Sequence, residues 1–513
     1  MVLLFRNVYL KNRAQFKSIE KLFIFFVLLI ILGIGSWLRL SGIISNSFAF
    51  TYDVGRDMLA VESIVANHKI PLIGQTTGIE GIFYGPWWYY LLIPPFILFS
   101  GNPSGIAFTM AVVGIVSIVV AFIFGNKIGG KFLGITLAAL TSVSPIMISL
   151  SAQIWNPNIV PLFVLLTLLV LYKIFIKENK GRLKYYFLLG ILLAFNIDLE
   201  IVFGILLFIG IVLSVVITLN KKIRPVEILS FVLGLLLIFL PRAIFELRHG
   251  FLMTKSFIAF LPGGNSTEDP LTFGQIVENR ILTFLDQFSA SLTFGNQFLA
   301  VILILFTLFA TLLFYRKAPE IMRKLIVTAV TIIVVFFAGT IVFSRALWPH
   351  YLVGLPIIYI FLVSTSLYLL SKSLSNIILP GLIFVFLFIV NLNPAVLINS
   401  FTSPIFTGNA SVYRNQLAVV DYVYREASGK DFKYVVYTPP VFDYTYRYLF
   451  KWYGPEKYKY FPNKEARTAF FIIEPDPGYE DRPKQWLKLR ENDGKIIKSE
   501  TVKGGIIVQT RTH

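Results

Sequence analysis

The densest run of chemically competent side chains in this 513-residue sequence is Thr51-Tyr52-Asp53-Val54-Gly55-Arg56-Asp57. On a helix, spacings of three and four residues put Asp53, Arg56 and Asp57 on one face. The arginine then holds both carboxylates ionised and oriented, while a free carboxylate oxygen takes a proton from a substrate hydroxyl. The same spacing also suits a capped surface helix with a local salt bridge. Met58, Leu59, Val61, Ile64 and Val65 follow at near-helical spacing and fit a helix lying on a membrane surface. The chain has no Cys, so disulfides, thiolate metal sites and a Cys nucleophile are excluded and any chemistry rests on carboxylates, His, Arg, Lys and Tyr.

Further groups collect downstream. Glu80 precedes Phe83-Tyr84-Gly85-Pro86-Trp87-Trp88-Tyr89-Tyr90, which reads either as an interfacial aromatic belt or as a wall for a sugar ring or isoprenoid chain. Asp198 and Glu200 interrupt an apolar stretch too long for one span and mark a turn. Asn156 and Asn158, then Arg242 with Glu246, Arg248 and His249, then Arg345 with His350 and Tyr351, face the same compartment. Arg242 and Arg345 stand where the positive-inside rule disfavours cations, and an Arg fork matches a phosphate bidentately. Snorkelling anchors are the alternative. The candidate substrate-binding residues are therefore Arg56, Glu80, Tyr84, Trp87, Asp198, Glu200, Arg242, Glu246, Arg345, His350 and Tyr351, with Asp53 and Asp57 catalytic. No cofactor is called for. A divalent metal would draw on His249, His350 and Glu80, but no HxxxH or HExxH spacing supports it.

These groups must be positioned by membrane-spanning helices. Hydrophobic residues make up 56% of the chain and charged ones 14%, against roughly 25% in soluble domains. Mean hydropathy is +0.73, which excludes an ordinary soluble enzyme. Eleven spans are expected at 22–40, 105–125, 132–150, 157–176, 184–197, 200–219, 226–245, 298–315, 325–343, 351–370 and 376–393. A basic N-terminus, 1–21, precedes an uncleaved signal anchor and stays cytoplasmic. The apolar segment 86–99 is short and holds Pro86, Pro94 and Pro95. Leaving it out as a juxtamembrane or re-entrant piece gives the cytoplasmic stretches 20 basic residues against four acids, so the surplus of +18 reflects sidedness rather than nucleic-acid binding. A membrane domain, 22–393, then carries external loops at 41–104 and 246–297. An extracytoplasmic α/β domain, 394–513, follows, with helices at 413–427 and 444–452 and strands at 434–437, 469–473, 495–501 and 505–510. Its 18 Lys and Arg against 13 Asp and Glu suit anionic head groups, a phosphate-bearing ligand or plain solvation.

The order of anchor, Asp-containing first loop closing on Pro and aromatics, further spans and external C-terminal domain resembles the GT-C glycosyltransferases. The nearest likeness is to the protein O-mannosyltransferase and aminoarabinose-transferase group, family 39-like. Asp53-Val54-Gly55-Arg56 matches that family's D-x-x-R, Phe83-Tyr84-Gly85-Pro86 its segment ending on Pro, and 345–351 its basic-aromatic stretch. The resemblance implies a multi-pass cell-membrane enzyme that transfers a sugar, with inversion, from a polyprenyl-phosphate carrier to a protein, lipid or glycan acceptor on the external side. Asp53 would be the base, and Arg56 would hold it or reach the lipid phosphate. Tyr84 and Gly85 stand where aminoarabinose transferases have an acid-Lys pair, and Val54 where mannosyltransferases have Glu, which leaves Asp57 as partner acid. A transporter or lipid flippase would want internal repeats and mid-span charges, whereas here charges are expected at the external boundary. A polysaccharide polymerase or ligase would use the late loop 246–297.

Overall fold

A computed structural model describes residues 2–176, 181–219, 223–260, 271–343, 347–374, 376–402, 409–439 and 442–512. The chain opens with α1 (Val2–Ile44), α2 (Tyr52–Asn67), α3 (Trp87–Leu98), α4 (Pro103–Val143), α5 (Pro145–Ala152), α6 (Val160–Ile176), α7 (Leu183–Leu199) and α8 (Ile201–Thr218). Then come α9 (Pro225–Arg248), α10 (Leu252–Phe260), α11 (Phe273–Leu292), α12 (Gln297–Phe314), α13 (Glu320–Ile341), α14 (Leu355–Ser373), α15 (Ile378–Leu392) and α16 (Pro394–Thr402). All eleven expected spans lie on helices. Among the described residues, eight helices are long and apolar enough to cross a membrane. One of the eight, α4, reverses at Gly130, whose φ of +74° is open to glycine. Its two arms pack so tightly that a Cβ at Gly125 would meet Leu133 and Gly134 backbone. Helices α7 and α15 have 17 and 15 residues and fall short on length.

Helix α14 is the axis of the bundle, with nearly all its membrane window buried, whereas α1 and α9 lie at the periphery. Helices α7 and α9 approach through Gly190 and Gly234, where a Cβ on either would overlap the other helix's backbone, at Phe231 and Phe187. Small residues allow this approach inside a bilayer. Asp198 and Arg242 each stand eight residues beyond the glycine of their own helix, and the crossing delivers them side by side. Arg39, one residue from the end of expected span 22–40, is fully buried, a charge that the sequence reading did not single out. Its guanidinium donates to the Ser142 and Thr141 carbonyls at 2.8 and 3.1 Å. Pro145 opens α5 there and brings no N–H of its own, so the arginine supplies donors that the helix joint lacks.

The expected external loop 246–297 carries helices α10 and α11, the latter amphipathic and capped by Thr272 and Gln275. Segment 86–99 forms α3, 12 residues and about 18 Å long at 1.5 Å per residue, too short to cross.

The C-terminal domain has α17 (Tyr413–Ala427), β1 (Phe432–Tyr437), α18 (Tyr444–Lys451), α19 (Tyr453–Tyr458), β2 (Thr468–Ile473), α20 (Asp481–Lys488), β3 (Lys495–Thr501) and β4 (Ile507–Thr512). The sheet order is β1-β2-β4-β3, with β1 parallel to β2 and the other pairs antiparallel. Period-two alternation divides the buried residues between two faces. Phe432, Phe470, Ile472 and Val508 pack with Val419, Val423 and Phe450 on one face, and Tyr437, Phe471 and Ile473 meet Trp486 on the other.

Candidate functional site

Helix α2 begins after Thr51 and carries all three motif residues on one turn. Arg56 Nη1 is 2.8 Å from Asp53 Oδ1, while its Nη2 and Nε reach Asp57 Oδ1 at 2.9 and 3.0 Å. The other Asp57 oxygen accepts from Trp88 Nε1 of α3 at 2.8 Å. Asp57 is buried with both oxygens engaged, and burial pushes its carboxyl up to about 6 although Arg56 and Trp88 pull it down. The Asp53 side chain remains 23% exposed. Burial raises its carboxyl too, against the pull of Arg56. One carboxylate thus anchors the arginine while the other opens outward. Gly55 fits the motif because a Cβ there would run into the backbone of Tyr444 and Thr445 in α18.

A second set of acids stitches the end of the first loop to the bundle. Asp198 Oδ1 accepts from Arg242 Nη2 at 2.7 Å, and its Oδ2 takes the Trp87 backbone N–H at 3.3 Å. A Cβ at Gly85 would overlap the same carboxylate, so glycine is what lets the loop lie on it. Trp87 Nε1 donates to the Ile238 carbonyl at 2.9 Å. The Tyr84 hydroxyl donates to Glu200 Oε2 at 3.2 Å. Burial pushes Glu200, at the turn between α7 and α8, up to about 8, with Tyr84 opposing. Tyr84 is itself raised, first by burial, then by Glu200 and, more weakly, by Tyr351 and Asp53.

Asp53 opens on a cavity of about 570 Å³, within the usual size of small-ligand sites. Phe50, Tyr52 and Trp155 wall one side of it, and the C-terminal domain closes the other. His350 packs edge-on against Trp155 at 5.0 Å and against Tyr351 at 4.6 Å, behind that wall.

Asp53, Arg56, Asp57, Tyr84, Trp87, Asp198, Glu200 and Arg242 are therefore brought into one neighbourhood, with His350 and Tyr351 beside it. Glu246 lies elsewhere, accepting from the Met253 and Thr254 backbone at 2.8 and 3.0 Å to start α10. Glu80 is exposed. Arg345 lies outside the described residues. His249 stacks on Phe245 at 4.0 Å, and among the described residues no three His, Asp or Glu side chains converge as a metal site. Sequence reasoning singled out neither Trp88 as the Asp57 partner nor the C-terminal wall. Trp88 was visible within the aromatic run, whereas nothing local marks a residue that reaches the site from another domain.

No family model matches the chain, and no curated protein matches it. Among solved structures it is similar to ArnT from Cupriavidus metallidurans bound to undecaprenyl phosphate, at 13% identity and a TM-score of 0.60, covering 95% of this chain and 98% of that one. The apo state of the same protein gives 12% identity and a TM-score of 0.61, with 96% and 98% covered. Bundle and C-terminal domain together thus share the fold of ArnT, and the resemblance read from the sequence holds at the level of architecture.

Proposed function

We propose that the chain is a membrane glycosyltransferase that moves a sugar from a polyprenyl-phosphate carrier to an acceptor hydroxyl in a single inverting displacement, on the extracytoplasmic side where the C-terminal domain lies. The observation that carries this reading is Asp53: a partly open carboxylate, braced by Arg56, facing a ligand-sized cavity. It stands within a fold whose relative, ArnT, was crystallised with undecaprenyl phosphate. The acceptor O–H gives its proton to Asp53 as its oxygen bonds the anomeric carbon. The bond from that carbon to the phosphate oxygen breaks, and polyprenyl phosphate leaves with the electron pair. Asp57 positions Arg56 rather than exchanging protons. Its two oxygens are occupied.

The departing phosphate needs cations at head-group level. Arg242 suits this role, because its Nε is buried without a hydrogen-bond partner among the described residues while Nη2 is held by Asp198. Arg345 is the second cation in this reading. The test is release of polyprenyl phosphate from a panel of polyprenyl-phosphate sugars by the protein in liposomes, wild type beside Asp53→Asn. A fall of about 10²- to 10⁴-fold is expected with the melting temperature unchanged. Equal turnover in both forms removes Asp53 as base, and no turnover of any donor favours lipid transport instead.

A further inference from the structure

The cavity beside Asp53 has a chemical character that bears on what enters it. Its far wall is made by α17, the loop after β1 and the segment that follows β2. Glu474 and Gln416 line it and are 5% and 2% exposed. Glu474 Oε1 accepts from the Tyr446 hydroxyl at 3.0 Å and from Gln416 Nε2 at 3.2 Å. Among the described residues, that leaves Glu474 Oε2 with no hydrogen bond and Gln416 Oε1 buried without a partner. A buried acceptor left unsatisfied costs roughly 1–3 kcal/mol, so Gln416 Oε1, beside a Glu474 oxygen that takes no hydrogen bond from the described residues, points to a ligand that brings donors.

The charge of the lining points the same way. Its charged residues are Asp53 and Glu474, and among the described residues no Lys, Arg or His lines it. Phosphate or carboxylate has acceptors and negative charge, and neither would be matched here. Sugar hydroxyls supply O–H donors without charge. The rest of the lining suits the faces of a sugar ring, with Trp155 on one side and Tyr52 and Phe442 stacked 6.3 Å apart on another.

We propose that this cavity is the acceptor subsite of the transferase, that Glu474 and Gln416 bind the hydroxyls of an uncharged carbohydrate there, and that the C-terminal domain thereby selects a neutral glycan over a phosphorylated acceptor. The inference rests on the glycosyltransferase reading for the word acceptor. The carbohydrate site itself stands on the cavity. Asp53 at the opposite wall is then placed to receive the proton of a different hydroxyl of the ring that Glu474 and Gln416 hold.

The experiment uses the full-length protein in lipid nanodiscs and saturation-transfer NMR with methyl glycosides of glucose, mannose, galactose and N-acetylglucosamine, each beside its 6-phosphate. At least one neutral glycoside is expected to bind, and its 6-phosphate to bind more weakly. Glu474→Gln and Gln416→Leu are each expected to weaken the neutral ligand about tenfold, as for losing a hydrogen bond to a buried or charged partner. Phe442→Ala, at a position 53% exposed where folding is not at stake, is expected to weaken it about fivefold through the lost ring face. Failure of every neutral glycoside to bind, tighter binding of the 6-phosphates, or unchanged binding in all three variants would overturn the proposal. Donor turnover is measured on the same samples. Glycoside binding without any turnover retains a carbohydrate site and removes the transferase, whereas turnover with binding indifferent to the three variants removes the subsite and retains the transferase. A donor KM that rises in Glu474→Gln, with the glycoside affinity constant, also overturns it, because the cavity would then hold the donor sugar.

Discussion

Asp53 and Asp57 are four residues apart and share one arginine, yet their surroundings separate them. Asp57 lies between Arg56 and the Trp88 indole, and Asp57→Asn would turn an amide donor onto one of these donors. A loss of about 1–3 kcal/mol of stability is expected with the loss of activity, read as a lower melting temperature that Asp53→Asn does not share. Glu200 makes a pH prediction. Its carboxyl rises from 4.5 to about 8 in the folded state, so between those values the native protein holds the proton more tightly than the unfolded chain. That stabilisation is complete below pH 4.5 and is lost as pH rises through about 8. Glu200→Gln keeps an acceptor for Tyr84 and removes the titration. Its melting temperature should exceed that of wild type at pH 8.5 and converge with it near pH 5. A gap independent of pH would refute this. The spacing of Asp53, Arg56 and Asp57 was enough to read their shared face from sequence. Which of the acids is open was not legible, because exposure is set by Trp88, a residue distant along the chain and within the same loop.

At the scale of elements, the site depends on contacts between segments that hydropathy treats separately. The Gly190–Gly234 crossing places Asp198 against Arg242, and Asp198 then receives the loop through Gly85 and the Trp87 N–H. Gly85→Ala would drive a methyl group into that carboxylate. About 1–3 kcal/mol of destabilisation is expected, with reduced donor turnover, seen as a lower melting temperature and a lower kcat. A variant as stable and active as wild type would show that the loop is not seated on α7. The apolar runs were readable because burial in lipid needs about 20 consecutive apolar residues. The strands of the C-terminal domain were readable from alternation. The helices inside 246–297 were missed because α11 is amphipathic and polar enough to pass for a loop, and Arg39 because its partners are carbonyls that only the Pro145 joint exposes.

For the whole molecule, the C-terminal domain is fastened to segment 41–104 by main-chain and side-chain bonds. The Tyr413 and Arg414 N–H groups reach the Phe48 and Asn46 carbonyls, each at 3.0 Å, and Phe50 N–H reaches Ser411 O at 2.8 Å. Trp452 Nε1 donates to Ser100 O at 2.8 Å, and Lys451 meets Glu62 at 2.7 Å. Truncation after residue 393 removes these partners and one wall of the cavity. The shortened protein is expected to insert in membranes, lose transfer to background and become cleavable by protease within 41–104. Retained transfer would make the domain a scaffold. The pairing of Lys451 with Glu62 spans 389 positions of chain. Contacts so distant along the chain close late, after the loops between them have been ordered. During synthesis Asp53 emerges while the residues that complete its cavity have yet to be translated. The cavity is therefore complete only after the segment through Gly504 has been made, when all the apolar helices already stand behind it in the chain.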